Sequence, residues 1–511
     1  MRSKLGILVT VCAAVLAINI DTTIVNVALP TISSQLDAGT RQLQWIVDGY
    51  NLAFTAFVLA AGSLSDRFGR RPALILGLVG FAAASAAGAL VTSAEALVVA
   101  RVAMGVCAAI IFPTTLSIIS NTFRERRERA AALGVWGAVV GIGVAAGPVS
   151  GGVLLEHFGW SSVFWALVPL ALAAAAAAFV LVPESRDPRV PRLDLTGLAV
   201  SVALLTTLTF TIIEAPDAGW LSGRTLGGFA LAVGLLVAFV RLERRSPHPM
   251  LDVSLFRDAR FSAASGSVTV TFFALFGFIF LITQYFQLVR DYGTLSTGAR
   301  ILPVALSIAA ASVAGAALAP RIGTRVVVTT GLAMFGLSFL WISSVGVDTS
   351  YARVIVPQMV LMGLGIGLVS TPATESILLV LPPARAGVGS AVNDATRELG
   401  GTLGVAVVGS LFSSVYAGHL ADGVFGGLPT GALTAAQDSV GAARGIAMGS
   451  PALTEAMHEA FLAGLSTCSL VIGLLCLAGA ALAAVTLPRR PVSRSESAVP
   501  SVDEPEVVPV V

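Results

Sequence analysis

Apolar residues fill the chain in blocks of about twenty, and short clusters of charge, glycine and proline divide one block from the next. The blocks lie at roughly 6–29, 46–65, 73–92, 96–119, 131–154, 161–182, 195–213, 226–241, 262–286, 299–319, 326–345, 354–378, 389–415 and 461–487. At about 1.5 Å per residue, blocks of this size cross the roughly 30 Å of a bilayer's hydrocarbon. About fourteen spanning helices are therefore predicted, joined mostly by short loops. Two stretches depart from that rhythm. A Gly-, Ala- and Ser-rich segment from about 416 to 460 reads as an extracellular loop with room for a short helix, and residues 488–511 read as a disordered tail.

Charge orients this plan. Of 31 Lys and Arg residues, 23 fall in the termini and alternate loops on one side, against six on the other: Arg41, Arg224, Arg290, Arg300, Arg353 and Arg444. Positively charged loops stay in the cytoplasm, so both termini are expected there. Met1-Arg2-Ser3-Lys4 resembles the start of a secretory signal. The apolar stretch behind it continues to about Ala28, contains Asp21 and lacks an evident cleavage site, so it reads as an uncleaved first span.

The loop Gly62-Ser63-Leu64-Ser65-Asp66-Arg67-Phe68-Gly69-Arg70-Arg71-Pro72 has a worn copy, Leu318-Ala319-Pro320-Arg321-Ile322-Gly323-Thr324-Arg325, 254 residues later. Gly69 tolerates the left-handed backbone of a sharp reversal, and the arginines remain in water. Arg129-Ala130 recurs at a similar offset as Arg385-Ala386. The chain thus divides into a six-helix half over 1–183, two inserted helices with charged linkers over 184–260, and a second six-helix half over 261–487, followed by the tail. A duplicated bundle with its working site between the halves is a plan of secondary transporters.

Composition removes other classes. The chain is 56% hydrophobic and 12% charged, with mean hydropathy +0.88, well outside the range of soluble domains. A net charge of +2, dispersed over loops, gives no nucleic-acid footprint. The four cysteines lie in apolar runs and read as packing residues. Lys4 is the only lysine, which excludes a phosphate-binding loop of the Gly-x4-Gly-Lys type, so any transport must run on a gradient. The four histidines fall in predicted loops; no catalytic constellation, metal site or cofactor is expected.

Candidate chemistry lies where charge enters a span. Asp21 in the first predicted helix and Arg101 in the fourth are placed to meet, either as a permanent structural pair or as a carboxylate whose proton is released when cargo or Arg101 competes for it. Asp48, near the start of the second helix, reads equally as interfacial decoration or as part of a substrate cavity. In the thirteenth helix Asp394, Arg397 and Glu398 occupy neighbouring surface positions. They form either a self-neutralised cluster or a proton-coupling one, with Glu398 favoured as the carrier. Asp66 opposes the dipole of its own helix and must find stabilisation elsewhere, locally from Arg70 or across the halves. In the fifth helix Gly137, Gly141, Gly143, Gly147 and Gly151 stand at spacings of four that let a neighbouring backbone approach, and Pro148 is placed to kink it. Asn26, Gln284 and Tyr285, with Phe273 and Phe276, are candidates for the cavity wall. Glu214 and Glu375, at helix ends, read as solvated.

Three of these segments carry a family likeness that covers about residues 5–487. Gly62–Arg71 resembles the signature loop of the major facilitator superfamily. Leu133-Gly134 through Gly143, Gly147, Pro148, Gly151 and Gly152 resembles the motif of its antiporters, and Ile20-Asp21-Thr22-Thr23-Ile24-Val25-Asn26-Val27-Ala28-Leu29-Pro30 is similar to the first-helix signature of the fourteen-helix drug:proton antiporters. The resemblance implies an all-α membrane fold of two six-helix bundles plus two inserted helices. It also implies alternating access, proton coupling through Asp21, Arg101, Asp394, Arg397 and Glu398, and an antiporter helix carrying Gly134, Gly143, Gly147, Pro148, Gly151 and Gly152. A latch is implied in which Gly62, Asp66, Arg67, Gly69, Arg70 and Arg71 face the start of the thirteenth helix near Gly387 and Gly389. One position departs: Met104 stands where the family usually has a glutamine after its arginine, which weakens the transfer of hydrogen-bonding detail around Arg101.

The expected protein is thus a monomeric, multi-pass plasma-membrane exporter of drug-like amphipathic molecules, exchanging them for protons. Export of an endogenous lipid, siderophore or secondary metabolite by the same machinery is the alternative; a membrane enzyme or sensor lacks the paired nucleophile and base it needs. The predicted orientation is directly checkable. Green fluorescent protein fused after residue 487 should fluoresce and alkaline phosphatase fused there should be silent, with the opposite pattern for insertions near residue 430; a reversed pattern would overturn the orientation.

Overall fold

The computed structural model describes residues 4–123, 125–186, 194–247, 249, 251–379 and 386–487. They form α1 (Lys4–Leu36), α2 (Thr40–Phe68), α3 (Arg70–Leu90), α4 (Ala94–Thr122), α5 (Arg126–Phe158), α6 (Ser161–Leu181), α7 (Leu195–Ala218) and α8 (Gly223–Arg245). After these come α9 (Ala259–Gln284), α10 (Thr294–Ile322), α11 (Thr324–Ile342), α12 (Val356–Leu379), α13 (Ala386–Asp422), α14 (Thr430–Asp438), α15 (Val440–Ala447) and α16 (Pro451–Thr486). No strand occurs among the described residues. Thirteen of the helices are long and apolar enough to cross a membrane. α2, 29 residues long, stands outside that group and carries Arg41, Gln42, Gln44, Asp48 and Asn51 in its first half.

One packing plan occurs twice. α1 packs on α5, α2 on α4 and α3 on α6 and α4; in the same way α9 packs on α13, α10 on α12 and α11 on α16 and α12. The repeated loop explains part of this. Gly69 (φ +125°) and Gly323 (φ +94°) each reverse the chain in a single residue, their N–H groups donating to Ser65 O at 3.1 Å and Ala319 O at 3.0 Å. Such backbone angles favour glycine, and they hold the paired helices α2–α3 and α10–α11 close at what is here termed the lower end of the bundle.

The halves meet along two seams, α2 with α13 and α5 with α10. α7 lies over the first, its Ile212 and Ile213 clustered with Ala406, Leu403, Val407 and Trp45. Near the upper end Arg41 of α2 pairs with Glu214 (3.4 Å) and Asp217 (3.1 Å) of α7, while the Trp220 indole N–H, just past α7, donates to Ser414 of α13 at 3.1 Å. Glu214 is therefore paired and half-buried, not solvated as its position near a helix end suggested.

The segment read as a loop over 416–460 is mostly helical. α13 continues to Asp422, α14 and α15 follow, and α16 begins at Pro451. The reason is an apolar face hidden in small residues: Tyr416, Leu420, Phe425, Ala436, Val440, Ala443 and Ala447 are all buried. Ser439 meets Ser33 at 3.1 Å and Arg444 donates to Gln287 O at 2.9 Å and pairs with Asp291, so α15 straps the upper ends of both halves. Burial lifts the Asp438 carboxyl above its ordinary range, Asp217 adds to the lift and Arg41 opposes it. Seating α14 is accordingly easier while Asp438 holds its proton and weakens as pH rises past that raised value. His157, His419 and His458, read as loop residues, lie instead within end segments of α5, α13 and α16; His248 lies outside the described residues.

The glycines of α5 divide by height. A Cβ built on Gly147 would stand 2.0 Å from Thr23 Oγ1, one on Gly143 2.7 Å from Asn19 Cβ, one on Gly151 2.8 Å from Ile24 Cγ1, and one on Gly152 2.6 Å from the Leu295 backbone. Gly134, Gly137 and Gly141 face nothing within 4 Å. Equal spacing in sequence therefore conceals two roles, close packing on α1 and α10 above and an unpartnered face below. Replacing Gly147 by alanine should lower the melting temperature in detergent by a destabilisation of about 1–3 kcal/mol, because backbone and side chain of α1 must give way. Gly141→Ala should leave the melting temperature within error; equal effects of the two would contradict the division.

Candidate functional site

Charges predicted inside spans gather on α1, α2, α4 and α13. Nη1 of Arg101 donates to both Asp21 oxygens at 2.8 and 2.7 Å, Nε donates to Ile46 O at 3.0 Å, and the guanidinium carbon lies 4.3 Å from the centre of the Tyr50 ring. Arg101 is 1% and Asp21 0% exposed. Dehydration of both charges is tolerable only while each has the other; deleting one strands its partner at a cost of about 3–5 kcal/mol. One arginine thereby fastens α1, α2 and α4 together. Met104, the departure from the family pattern, is fully buried one turn away.

Asp48 presents the opposite case. It is 0% exposed, and neither oxygen has a hydrogen-bond partner among the described residues. Interfacial decoration does not describe such a carboxylate. It belongs to a polar stripe on α2 formed by Gln44, Asp48, Asn51 and Thr55, spaced four, three and four so that all share one face. Gln44 Nε2 donates to Ala406 O at 3.0 Å and Ser410 Oγ at 3.2 Å, which aims the stripe at α13. Asn51 Nδ2 and the Tyr416 hydroxyl also lack partners among the described residues. Buried polar atoms are ordinarily satisfied by protein groups or ordered water. The sequence signal for Gln44, Asn51 and Thr55 was their helical spacing with Asp48; the reading of that helix as an apolar run obscured it.

On α13 the cluster is loosely tied. Thr374 donates to Asn393 Oδ1 at 3.0 Å, Arg397 Nη2 donates to Thr374 Oγ1 at 3.3 Å, and Asn393 Nδ2 lies 3.5 Å from Asp394 Oδ1. The Arg397 guanidinium carbon is 5.2 Å from the Phe272 ring centre. No ion pair within 4.0 Å joins Arg397 to Asp394 or Glu398 among the described residues, so the self-neutralised pair is not formed here. Glu398 Oε2 and Arg397 Nε are buried without partners.

Other predicted residues are placed differently. Asn26 is buried on α1, its Nδ2 donating to Thr22 O at 3.0 Å, and Gln284 donates to Phe280 O one turn back at 3.0 Å. Tyr285 does not line a cavity: it is fully buried, donates to Gly346 O at 2.8 Å and packs on Phe461, since the chain turns at Tyr285–Val289 into a π-helical segment. In the repeated loop, Gly62 faces Pro113 of α4. Arg71 donates to Phe179 O and lies over the Phe179 ring, because the last carbonyls of α6 lack helical partners and attract a cation. Arg67 lies near the Phe68 ring, and Arg70 N donates to Ser185 O at 2.9 Å. The side chain of Asp66, and those of α13 near Gly387 and Gly389, lie outside the described residues.

Between the halves, the upper end is closed. Thr294 of α10 donates to Gly152 O of α5 at 3.1 Å, Gln287 donates to Val27 O at 2.9 Å, and the carbonyl of Pro148 lies 2.1 Å from where a Cβ on Gly298 would be. Gly134, Gly137, Gly141, Pro148 and Gly152 share one face of α5. That face touches α10 above and stands free below, so the α5–α10 seam is shut at one end and parted at the other. A small apolar cavity of about 30 Å³, bounded by Thr23, Pro148, Leu275, Phe278, Gly298 and Ile301 among others, lies on this seam.

Comparison with known proteins accords with this arrangement. The family model described as Major Facilitator Superfamily matches residues 11–405. The multidrug efflux pump LfrA of Mycolicibacterium smegmatis is 35% identical over 480 residues, covering 93% of this chain and 94% of that protein. The tetracenomycin C resistance and export protein of Streptomyces glaucescens is 32% identical over 505 residues, covering 96% and 93%. Among solved structures, a bacterial homolog of the human lysosomal transporter Spinster, in an inward-facing and unoccupied conformation, aligns with TM-score 0.67 at 16% identity over 95% of this chain and 98% of that one. The last likeness speaks for the fold alone; together with the matched family model and the full-length relatives, it makes the chain a member of the major facilitator superfamily.

Proposed function

We propose that this protein exports drug-like amphipathic molecules across the bacterial plasma membrane by alternating access, each cycle being driven by protons moving inward. The observation that carries the reading is Asp48, a fully buried carboxylate with no hydrogen-bond partner among the described residues, on the face of α2 that Gln44 aims at α13 of the other half. An unpaired carboxylate in such surroundings is stable only if a proton or a cation accompanies it. A site that must be filled by one or the other can exchange them, and exchange is what coupling requires. Glu398 and Asp394 across the seam extend the same chemistry, while the closed Asp21–Arg101 pair supplies a fourth carboxylate whose partner is already in place. The names of the relatives, multidrug efflux and antibiotic resistance, support drug-like cargo. One relative is named for resistance and export together, which supports the second reading, in which the cargo is a metabolite of the producing cell. Two six-helix bundles with both termini cytoplasmic, acting as a monomer, complete the proposal.

The variants separate coupling from folding. Asp48→Asn leaves no buried charge stranded, so its melting temperature should equal or exceed that of the unaltered protein, while drug movement driven by a pH gradient in liposomes should fall at least about tenfold. Glu398→Gln should behave alike. Asp21→Asn, by contrast, strands Arg101 and should both unfold earlier, by about 3–5 kcal/mol, and lose transport. Uphill drug movement that persists in Asp48→Asn and Glu398→Gln together, or after the proton gradient is collapsed, would remove the mechanism.

A further inference from the structure

Contact with water ends abruptly along the first turns of α2. The Arg41 side chain, at the upper end, is 49% exposed and pairs with Glu214 and Asp217 of α7, whereas Gln44 is 1% and Asp48 0% exposed. The three residues stand three and four apart, so they follow one another down a single face of the helix.

What intervenes between water and the carboxylate is one amide seated in a notch. A Cβ on Gly409 of α13 would stand 2.5 Å from Gln44 Nε2, 2.8 Å from Cδ and 2.9 Å from Cγ, so the end of the Gln44 side chain fills the space that a larger residue at 409 would take. Within the notch Nε2 donates to Ala406 O at 3.0 Å and to Ser410 Oγ at 3.2 Å. A backbone carbonyl has two lone pairs, so Ala406 O accepts this bond without leaving the helical ladder of α13. Trp45, the next residue of α2, joins Ala406, Leu403 and Ile213 in one apolar cluster, which covers the flank of the notch beneath α7.

Glutamine suits a contact that must open. Its amide is neutral, so leaving the notch strands no charge, and hydrogen bonds exchanged for bonds to water contribute little net. A buried ion pair in the same place would lock α2 to α13, because parting it leaves each charge dehydrated and alone.

We infer that Gln44 is a positioning residue for the exchange at Asp48: seated in the Gly409 notch, it bars water and protons at the upper end from the carboxylate one turn below, and its withdrawal as α2 and α13 separate admits them. The inference rests on the export reading and assigns to it the point at which outer protons are let in.

The test measures the sidedness of access. In a full-length protein whose four native cysteines are replaced by alanine, Asp48→Cys is titrated with a membrane-impermeant cationic methanethiosulfonate, applied to right-side-out and to inside-out vesicles. Loss of the two hydrogen bonds in Gln44→Ala should raise the labelling rate from the outside about tenfold and alter the rate from the inside less than twofold. Gly409→Ala, which expels the amide while keeping it in the chain, should do the same. The two substitutions act on one contact, so together they should match either alone instead of multiplying. Where Gln44→Ala fails to fold, Gln44→Met, which keeps the volume and lacks the donors, is judged by the same rates. Outside labelling that ignores residues 44 and 409, rates that rise equally from both sides, or effects that multiply would overturn the inference. Drug transport driven by a pH gradient in Asp48→Asn is measured alongside. Its loss with labelling indifferent to Gln44 would remove the seal and leave the export reading standing; its survival with labelling governed by Gln44 would uphold the seal and remove protons at Asp48 as what it holds back.

Discussion

The dominant constraint on this molecule is the cost of charge in a medium that cannot hydrate it. A single charged side chain at the centre of a bilayer costs about 2.5–3.5 kcal/mol even on lenient scales. The fold meets that cost in two ways. At Asp21 and Arg101 it closes the pair, with the Nε–H given to Ile46 O and the flat cation laid against Tyr50. This ties three helices of one bundle at a shared point. At Asp48 and Glu398 it leaves oxygens without partners. The first arrangement gives rigidity; the second is where the proposed exchange takes place.

Much of the architecture was legible in the chain because hydrocarbon thickness and helical rise together fix the length of a span, and because Gly69 and Gly323 advertise the same sharp reversal twice. The intramembrane acids and arginines were legible for a related reason: few charges survive inside an apolar run without a purpose. What stayed hidden depended on direction around a helix. Gly141 and Gly147 look alike in sequence, yet one faces open space and the other clears room for Thr23, and only the placement of α1 and α10 decides between them. Arg71 turns to Phe179 because α6 happens to end beside it, a relation across more than a hundred residues. Tyr285 was misplaced because its helix changes pitch at that residue. The helices α14 and α15 were concealed by alanine and glycine, small enough to resemble loop yet apolar enough to be buried.

The stripe on α2 shows how the two kinds of information complement each other. Spacing alone puts Gln44, Asp48, Asn51 and Thr55 on one face, but it does not say what that face meets. The hydrogen bonds from Gln44 to α13 supply the direction, and the orphan atoms of Asp48 and Asn51 then acquire meaning as positions on an inter-bundle surface. Read in isolation, an aspartate near a helix start is unremarkable.

The two seams are not equivalent, and α7 is the cause. It holds α2 through Arg41 and α13 through Trp220 and the cluster about Ile213, whereas among the described residues no helix braces α5 and α10 in this way. Swinging the bundles apart along the braced side would break ion pairs and uncover apolar surface; parting α5 from α10 would break the Thr294–Gly152 hydrogen bond and small-residue contacts. α7 thus stands like a doorpost on one flank of the protein, bracing the α2–α13 seam and leaving the α5–α10 seam without such a brace among the described residues.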